Sequence, residues 1–300
     1  MSLSATVLVL LSAVLHATWN LVSKRQQPSA AFYLVASAAA GLLCLPLLGA
    51  SWANLARLLP TAGLLLGVAG LCQGLYFVAL AGAYRQGDLS VVYPLARAVP
   101  TILVLVVTVL RPGDSAISAV SGVGALLAVT GCLLVPAKRF RDLGPRTYGN
   151  RSSLLAVVAA VGIAGYSVAD AEALARLRLE AGLSPTTSAL LYLGCEALST
   201  AAVLAVWVLS QRQERWHLRQ VAVKSAGHAA LTGVVMYVSY GLVLAALAFA
   251  QDVSYVVAFR QVSIPLGALF GLVILGEPWH RPKLAGVGAI CVGLVLVSMG

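Results

Sequence analysis

Long apolar stretches alternate with short polar connections along this chain. A helix needs about 20 mostly apolar residues to span a bilayer, and an isolated strand in lipid would leave its backbone groups unpaired. The pattern therefore predicts an all-α polytopic membrane protein with ten transmembrane helices. We expect these helices at residues 3–23, 29–49, 58–84, 88–110, 115–136, 152–174, 186–209, 225–249, 252–275 and 282–299.

Two polar connections are longer than the rest. Residues 137–151 are rich in Lys and Arg and separate the first five stretches from the last five. Residues 210–224 are also charged, and we expect them to form a short helix on the membrane surface. The predicted units are thus residues 1–136, a connecting loop at 137–151, and residues 152–300.

Short motifs of the first half recur in the second half at a constant distance of 164 residues. An odd number of helices per unit makes the second unit enter the membrane from the opposite side, so two five-helix units form inverted repeats. Inverted repeats are typical of secondary transporters, whose substrate site lies where the repeats meet. We expect the repeated glycines to permit close helix packing. The recurring pairs are Asp88-Leu89-Ser90 with Asp252-Val253-Ser254, Gly122-Val123-Gly124-Ala125 with Gly286-Val287-Gly288-Ala289, and Tyr76 with Tyr240.

The composition supports a membrane location. Hydrophobic residues make up 60% of the chain and charged residues 10%, whereas soluble domains carry roughly 25% charged residues. The formal net charge is +10, but the basic residues lie in short loops between apolar stretches. That placement fits membrane topology and anionic lipid headgroups better than nucleic acid. We expect a multi-pass protein of the inner or plasma membrane.

The loop charges predict an orientation. Basic residues concentrate in loops on one side of the predicted bundle, and the positive-inside rule assigns that side to the cytoplasm. Both termini would then lie outside, and the 137–151 loop inside. The side shared with the termini holds Arg57, Arg111, Arg176 and Arg178; the other holds Lys24, Arg25, Arg85, Lys138, Arg139, Arg141, Arg146, Arg151, Arg212, Arg215, Arg219, Lys224, Arg281 and Lys283.

Several short motifs resemble those of a known transporter family. The first stretch holds His16-Ala17-Thr18-Trp19-Asn20, Gly276-Glu277 follows the ninth, and the fifth and tenth are rich in glycine. Together with the five-plus-five pattern, these features resemble the EamA-type members of the drug/metabolite transporter superfamily. The first repeat departs from the second, because Arg111-Pro112-Gly113 stands where the second has Gly276-Glu277-Pro278.

The resemblance implies a function. Family members move small organic molecules by alternating access around a central cavity, which helices 1–4 and 6–9 line while helices 5 and 10 lie behind. Many members are drawn with cytoplasmic termini, the opposite of what the loop charges predict here.

Two arginines fall near the middle of predicted spans. Arg97 lies in the fourth span and Arg260 in the ninth, beside Gln261. A central Arg costs about 2.5–3.5 kcal/mol on insertion scales, so each needs a partner or a wet cavity. Either the guanidinium groups bind an anionic group of the substrate, with Gln261 as a further ligand, or they pair with Glu196 or Asp170.

Polar residues of the first helix share one face. His16 and Asn20 are four residues apart, and Trp19 lies beside them. A helix that faced only lipid would not carry His and Asn. His16 is a candidate for proton coupling because its ordinary pKa lies near physiological pH, and an interhelical hydrogen bond is the alternative.

Two acidic residues lie within later spans. Glu196 is central in the seventh, and Asp170 comes late in the sixth. They would bind a cationic substrate, or they would be ion-pair or proton partners of an anionic one, with Asp170 the second proton-coupling candidate. Because both signs of charge occur at similar depth, a zwitterion would satisfy both.

Three tyrosines complete the predicted substrate site. Tyr76, Tyr166 and Tyr240 lie within spans, and a buried tyrosine hydroxyl requires a hydrogen-bond partner. They line the cavity or belong to an interfacial aromatic belt.

The combined pattern predicts a secondary transporter for a small polar or zwitterionic organic metabolite. A lipid-scrambling or channel-like protein is the alternative. The motifs HExxH and GxSxG, a Cys/His cluster and a P-loop are all absent from the sequence, so we expect no enzyme activity, no metal and no cofactor. We expect the substrate and membrane lipids as partners, no nucleic acid, and a monomer or homodimer.

Overall fold

The computed structural model describes residues 3–110, 118–142, 149–249 and 259–299. These residues form helices joined by short connections, and no strand occurs among them. The helices are α1 (Leu3–Arg25), α2 (Ala30–Ala50), α3 (Trp52–Gln86), α4 (Leu89–Leu110), α5 (Ala119–Leu134), α6 (Arg151–Leu179), α7 (Pro185–Ser210), α8 (Arg212–Lys224), α9 (Ala226–Phe249), α10 (Ser263–Leu269), which continues as a π-helical segment (Phe270–Ile274), and α11 (Arg281–Met299).

Seven helices of the described chain are long and apolar enough to cross a membrane: α1, α2, α3, α6, α7, α9 and α11. Large apolar side chains on their outer faces are exposed, such as Leu64 at 84% and Val206 at 73%, which suits contact with lipid and not with water. By length, composition and surface, this is a helical membrane protein. Residues 252–258 of the predicted ninth span and 115–117 of the fifth lie outside the described residues.

Polar side chains set several helix starts. Ser29, Asn150 and Ser184 each precede a helix and accept a hydrogen bond from the backbone N–H three residues on, at 3.2, 2.8 and 3.1 Å. Such caps satisfy amide groups that the helix itself leaves unpaired. The predicted helix within residues 210–224 is confirmed as α8.

One end of the bundle gathers many connections, and we call it the basic end. Lys24, at the end of α1, reaches the carbonyl of Gly87 after α3, at 2.7 Å. Ser152, at the start of α6, lies near the carbonyl of Ala83 at 3.3 Å. Lys283, near the start of α11, contacts Asp88. We call the other end, where α2 and α6 end and α3 and α7 begin, the opposite end.

The helices pack in definite pairs. α3 packs against α6 and α7, α1 against α9 and α10, and α2 against α7 and α9. α4 packs against α6 and α10, and α5 lies along α11. The last pair packs in turn against α4 and α10.

Glycines permit the close approach of α5 and α11. A Cβ on Gly131 would lie 2.6 Å from the carbonyl oxygen of Gly286, and one on Gly124 would lie 2.6 Å from that of Gly293. The expectation of close packing was wrong for Gly122 and Gly288, which face open space. Two positions along a helix turn a side chain by about 200°. Gly122 therefore points away from α11 when Gly124 faces it, and Gly288 points away from α5 when Gly286 faces it.

Candidate functional site

A cavity of about 570 Å³ lies between the central helices. α1, α2, α3, α4, α6, α7 and α9 contribute to its wall, together with Arg260, which precedes α10. Nine of the eleven residues that the sequence singled out line this cavity, although they come from stretches far apart in the chain. They are His16, Trp19, Tyr76, Arg97, Tyr166, Asp170, Glu196, Tyr240 and Arg260.

The other two singled-out residues are buried outside the cavity wall. Asn20 accepts a hydrogen bond from the hydroxyl of Tyr84 at 2.6 Å and donates to the carbonyl of His16 at 2.8 Å, so it joins α1 to α3. The side-chain oxygen of Gln261 has no hydrogen-bond partner in the described part of the chain. Gln261 points away from the cavity because neighbouring residues of a helical turn point about 100° apart.

Arg97 and Arg260 form no ion pair with any residue that the structure describes. The Nε atom of each is buried without a hydrogen-bond partner in that part of the chain. The guanidinium carbon of Arg260 lies 5.8 Å from the centre of the Tyr240 ring, within range of a cation–π contact. Pairing with Glu196 or Asp170, one of the two expected arrangements, does not occur here.

Glu196 belongs to a hydrogen-bond network between α3 and α7. Its Oε1 accepts from Nε2 of Gln73 at 2.8 Å, and the Oε1 of Gln73 accepts from the hydroxyl of Thr200 at 2.5 Å. Glu196 is buried, and its partner is neutral. The carboxylate therefore holds a defined position without an opposite charge.

Asp170 has a similar neutral partner. Its Oδ1 accepts from the hydroxyl of Tyr192 at 3.0 Å, which links α6 to α7. Tyr237, also on the wall, donates to the backbone carbonyl of Leu193. Both cavity carboxylates thus accept hydrogen bonds from uncharged groups.

Aromatic rings form a large part of the remaining wall. The indole N–H of Trp19 donates to Nδ1 of His16 at 3.3 Å, and the two rings meet edge to face at 5.2 Å. Tyr76 lies 4.7 Å from Phe77 and 6.2 Å from Tyr166, measured between ring centres. A flat, partly apolar organic molecule would find both stacking surfaces and hydroxyl groups here.

Sequence reasoning did not include Gln73 and Tyr237 in the site. Gln73 lies one helical turn before Tyr76, and Tyr237 lies one turn before Tyr240. The two residues are separated by 164 positions, the same distance that relates Tyr76 to Tyr240. That shared spacing was the signal that could have identified them.

The cavity extends toward the opposite end. α6 runs from the basic end at Arg151 to the opposite end at Leu179, and its lining residues run from Ile163 as far as Leu174. Leu193, near the start of α7, lies on the same part of the wall. The cavity therefore reaches past the middle of the bundle on the side away from the basic end.

Hydrogen bonds join the connections at the basic end. Both carboxylate oxygens of Glu277 accept from the first amides of α4, from Leu89 N at 2.6 Å and Ser90 N at 2.8 Å. The buried ammonium of Lys283 donates to Oδ2 of Asp88 at 3.2 Å and to the hydroxyl of Ser90 at 2.9 Å. We call Asp88, Glu277 and Lys283 the basic-end latch, because they tie the α3–α4 connection to the connection before α11.

No group of three or more His, Cys, Asp or Glu residues in the described ranges could hold a metal ion. The five cysteines are free thiols.

Comparison with known proteins shows similarity of fold. No protein-family model and no curated protein sequence matches the chain. Ten chains of solved structures are similar to it. One of them, described as "Crystal structure of protein", is 18% identical and superposes with a TM-score of 0.51 over 100% of this chain and 98% of its own. At this identity the likeness concerns the fold alone, and it extends over the full length of the chain.

Proposed function

We propose that this protein is a secondary transporter that moves a small polar or zwitterionic organic metabolite by alternating access around the central cavity. In this proposal the chain resembles the EamA-type drug/metabolite transporters and has ten membrane helices in two inverted units, residues 1–136 and 152–300. The loop at 137–151 joins the units. The protein is a multi-pass cell-membrane protein, a monomer or homodimer, with its termini outside.

The helix pairing supports the repeat. Let α1, α2, α3, α4 and α5 correspond to α6, α7, α9, α10 and α11. Replacing each helix by its counterpart converts the packed pair α3–α6 into α9–α1, α4–α6 into α10–α1, and α2–α9 into α7–α3. The three resulting pairs also pack together in the structure. The pairs α2–α7, α4–α10 and α5–α11 map onto themselves. A chain without internal symmetry would not be expected to reproduce its packing under this exchange.

The contacts between α5 and α11 are those of two antiparallel helices. Gly124 near the start of α5 faces Gly293 late in α11, and Gly131 late in α5 faces Gly286 near the start of α11. The two helices cross in opposite directions, as inverted repeats require.

One observation carries the proposal for the substrate. Two arginines that form no ion pair with a described residue and two carboxyl groups with neutral partners line one cavity. A charge in a low-dielectric site is unfavourable unless it is compensated. A ligand with an anionic group near Arg97 and Arg260 and a cationic group near Glu196 and Asp170 would compensate both pairs.

Alternating access gives the basic-end latch a role. In this geometry the latch joins the two units at the basic end while the cavity extends toward the opposite end. The alternative state must separate the latch and close the opposite end around the ligand. His16 and Asp170, both on the cavity wall, are the candidates for coupling this change to proton movement.

A thermal-shift screen of the purified protein tests the proposal. A ligand that binds only the folded state raises the melting temperature by mass action. We expect zwitterions such as amino acids to raise it more than simple amines, organic acids, phosphonates or nucleotide sugars, and the shift to disappear in Arg97→Ala. The active compound should then enter proteoliposomes at a rate that saturates with its concentration.

Two results would contradict the proposal. Uptake that rises linearly without saturation would indicate a channel. Transfer of a fluorescent lipid between leaflets, with no soluble compound bound, would indicate lipid scrambling.

A further inference from the structure

A second cavity, of about 400 Å³, lies at the basic end, separate from the central one. One wall is a face of α8, whose contributing residues recur at helical spacing. The other wall is the connection between α1 and α2, residues 26–29, with Phe32 beneath it. The α8 residues are Trp216, His217, Gln220, Val221 and Lys224.

α8 is held firmly against the bundle. The carboxylate of Glu214 accepts a hydrogen bond from the backbone N–H of Ala31 at 3.1 Å and so caps the start of α2. Val221 is buried, and Leu218 packs against the cluster formed by Ala30, Ala31 and Val208. Because these contacts fix α8, the cavity beside it is a preformed part of the fold.

The cavity wall carries side chains that can donate hydrogen bonds but have no partner. Gln26, His217, Gln220 and Lys224 form no side-chain hydrogen bond or ion pair with any residue in the described ranges. The Nε2 atom of His217 is buried and unpaired. No acidic residue lines the cavity. An anion with several oxygens would satisfy these groups together.

The position of α8 indicates where the anion comes from. Trp216 and Val223 are 57% and 84% exposed, although α8 carries four basic residues. An amphipathic basic helix of this kind lies in the membrane interface, with tryptophan at the level of the lipid headgroups. The cavity then opens at the depth of the lipid phosphates, on the side where basic loop residues concentrate.

We propose that this cavity binds a phosphate-bearing anion, supplied by the headgroup of an anionic phospholipid. Lys224 and His217 would contact the phosphate oxygens, and the glutamine amides would bind the remaining oxygens of the headgroup. Basic pockets on the cytoplasmic side of membrane proteins recognise anionic headgroups in this way. The site is distinct from the substrate cavity and does not depend on the transport reaction.

The site has no counterpart at the equivalent connection of the first half, which the structure describes in full. Ser51 alone separates α2 from α3, whereas α8 lies between the corresponding helices α7 and α9. A bound headgroup would bridge α8 of the second unit and the α1–α2 connection of the first. The α2–α3 connection therefore offers no symmetric second site.

Native mass spectrometry of the full-length protein tests the proposal. Protein in neutral detergent is titrated with phosphatidylglycerol, and the bound lipid is counted. We expect Lys224→Gln to weaken lipid retention about fivefold, the size of effect of one cation near an anionic headgroup, and His217→Ala to weaken it as well. Lys138→Gln and His280→Ala are matched controls outside the cavity and should retain lipid like the wild type.

A second probe distinguishes the source of the phosphate. In one outcome, inorganic phosphate raises the melting temperature of the wild type but not of Lys224→Gln, and the two proteins retain phosphatidylglycerol equally. That outcome would uphold the phosphate site and show that its ligand is a soluble phosphate. If only lipid binding depends on Lys224, the lipid headgroup is the ligand. Equal responses of the wild type, Lys224→Gln and Lys138→Gln to both probes would overturn the proposal. Lys224 is exposed, so its replacement should not disturb folding.

Discussion

The side-chain amide of Gln73 on α3 donates to the carboxylate of Glu196 on α7, with 2.8 Å between Nε2 and Oε1. The oxygen of the same amide accepts from Thr200 at 2.5 Å. Because both the nitrogen and the oxygen of its amide form hydrogen bonds, the Gln73 side chain has one favoured orientation. It fixes the position of the Glu196 carboxyl group on the cavity wall.

Gln73→Leu should reduce both stability and transport. The substitution keeps a similar volume but leaves the Glu196 carboxylate and the Thr200 hydroxyl without their partner, which costs about 1–3 kcal/mol for a buried polar group. Thermal unfolding in detergent and uptake by proteoliposomes measure the two effects. Gln86→Leu is the control, since Gln86 is exposed and bonds only within its own helix. Equal melting temperatures for the two variants would refute the role of Gln73.

Arg97→Ala and Arg260→Ala should abolish transport without loss of stability. Each removes a half-buried positive charge that forms no ion pair in the described part of the chain, so the unfolding free energy should stay constant or rise. Uptake assays and melting curves, with the exposed Arg178→Ala as control, separate the two effects. Normal uptake by both variants would exclude a role for the arginines in substrate binding.

Arg97→Lys refines this test. Lysine keeps the charge but loses the planar fork that binds an oxyanion through two hydrogen bonds. We expect uptake to be impaired in Arg97→Lys through a higher KM. Wild-type KM in this variant would mean that charge alone suffices.

Glu277→Ala should destabilise the basic end. The change removes acceptors for the first two amides of α4, and losing a helix cap costs roughly 1 kcal/mol. The exposed Glu180→Ala serves as the control for melting temperature. If the latch separates during transport, Ser90→Cys in a background without native cysteines should react faster with a maleimide when Glu277→Ala is present. Unchanged labelling would show that Glu277 does not hold this end closed.

Gly131→Val should destabilise the protein, whereas Gly122→Val on the same helix should not. A side chain at 131 would collide with the backbone of α11, while position 122 faces open space. Overpacking of this kind costs about 1–3 kcal/mol. The difference between the two melting temperatures measures the effect of close packing, because both variants carry the same change in helix propensity. No difference would mean that α5 and α11 are not in close contact.

Part of the fold and of the cavity wall could be predicted from the sequence. The apolar stretches predicted α1, α2 and α7 to within a few residues, because helix length in lipid follows from bilayer thickness. Rarity of charge within the apolar stretches marked Arg97, Arg260 and Glu196, which line one cavity. Asn20 was singled out because a helix that faces only lipid would not carry Asn, but it bonds to Tyr84, since the apolar pattern does not record which way a polar side chain turns.

The sequence by itself determined that the chain is helical, where most helices lie, and which polar residues within the spans require a partner or a polar cavity. These properties follow from local composition and from the cost of placing charge in lipid. Only the tertiary structure decided that the arginines form no ion pair within the described ranges, that Gln73 holds Glu196, and that Glu277 caps α4 across 187 positions or more of the chain. Such relations depend on helix rotation and on contacts between distant segments, and a shift of one residue turns a side chain by about 100°.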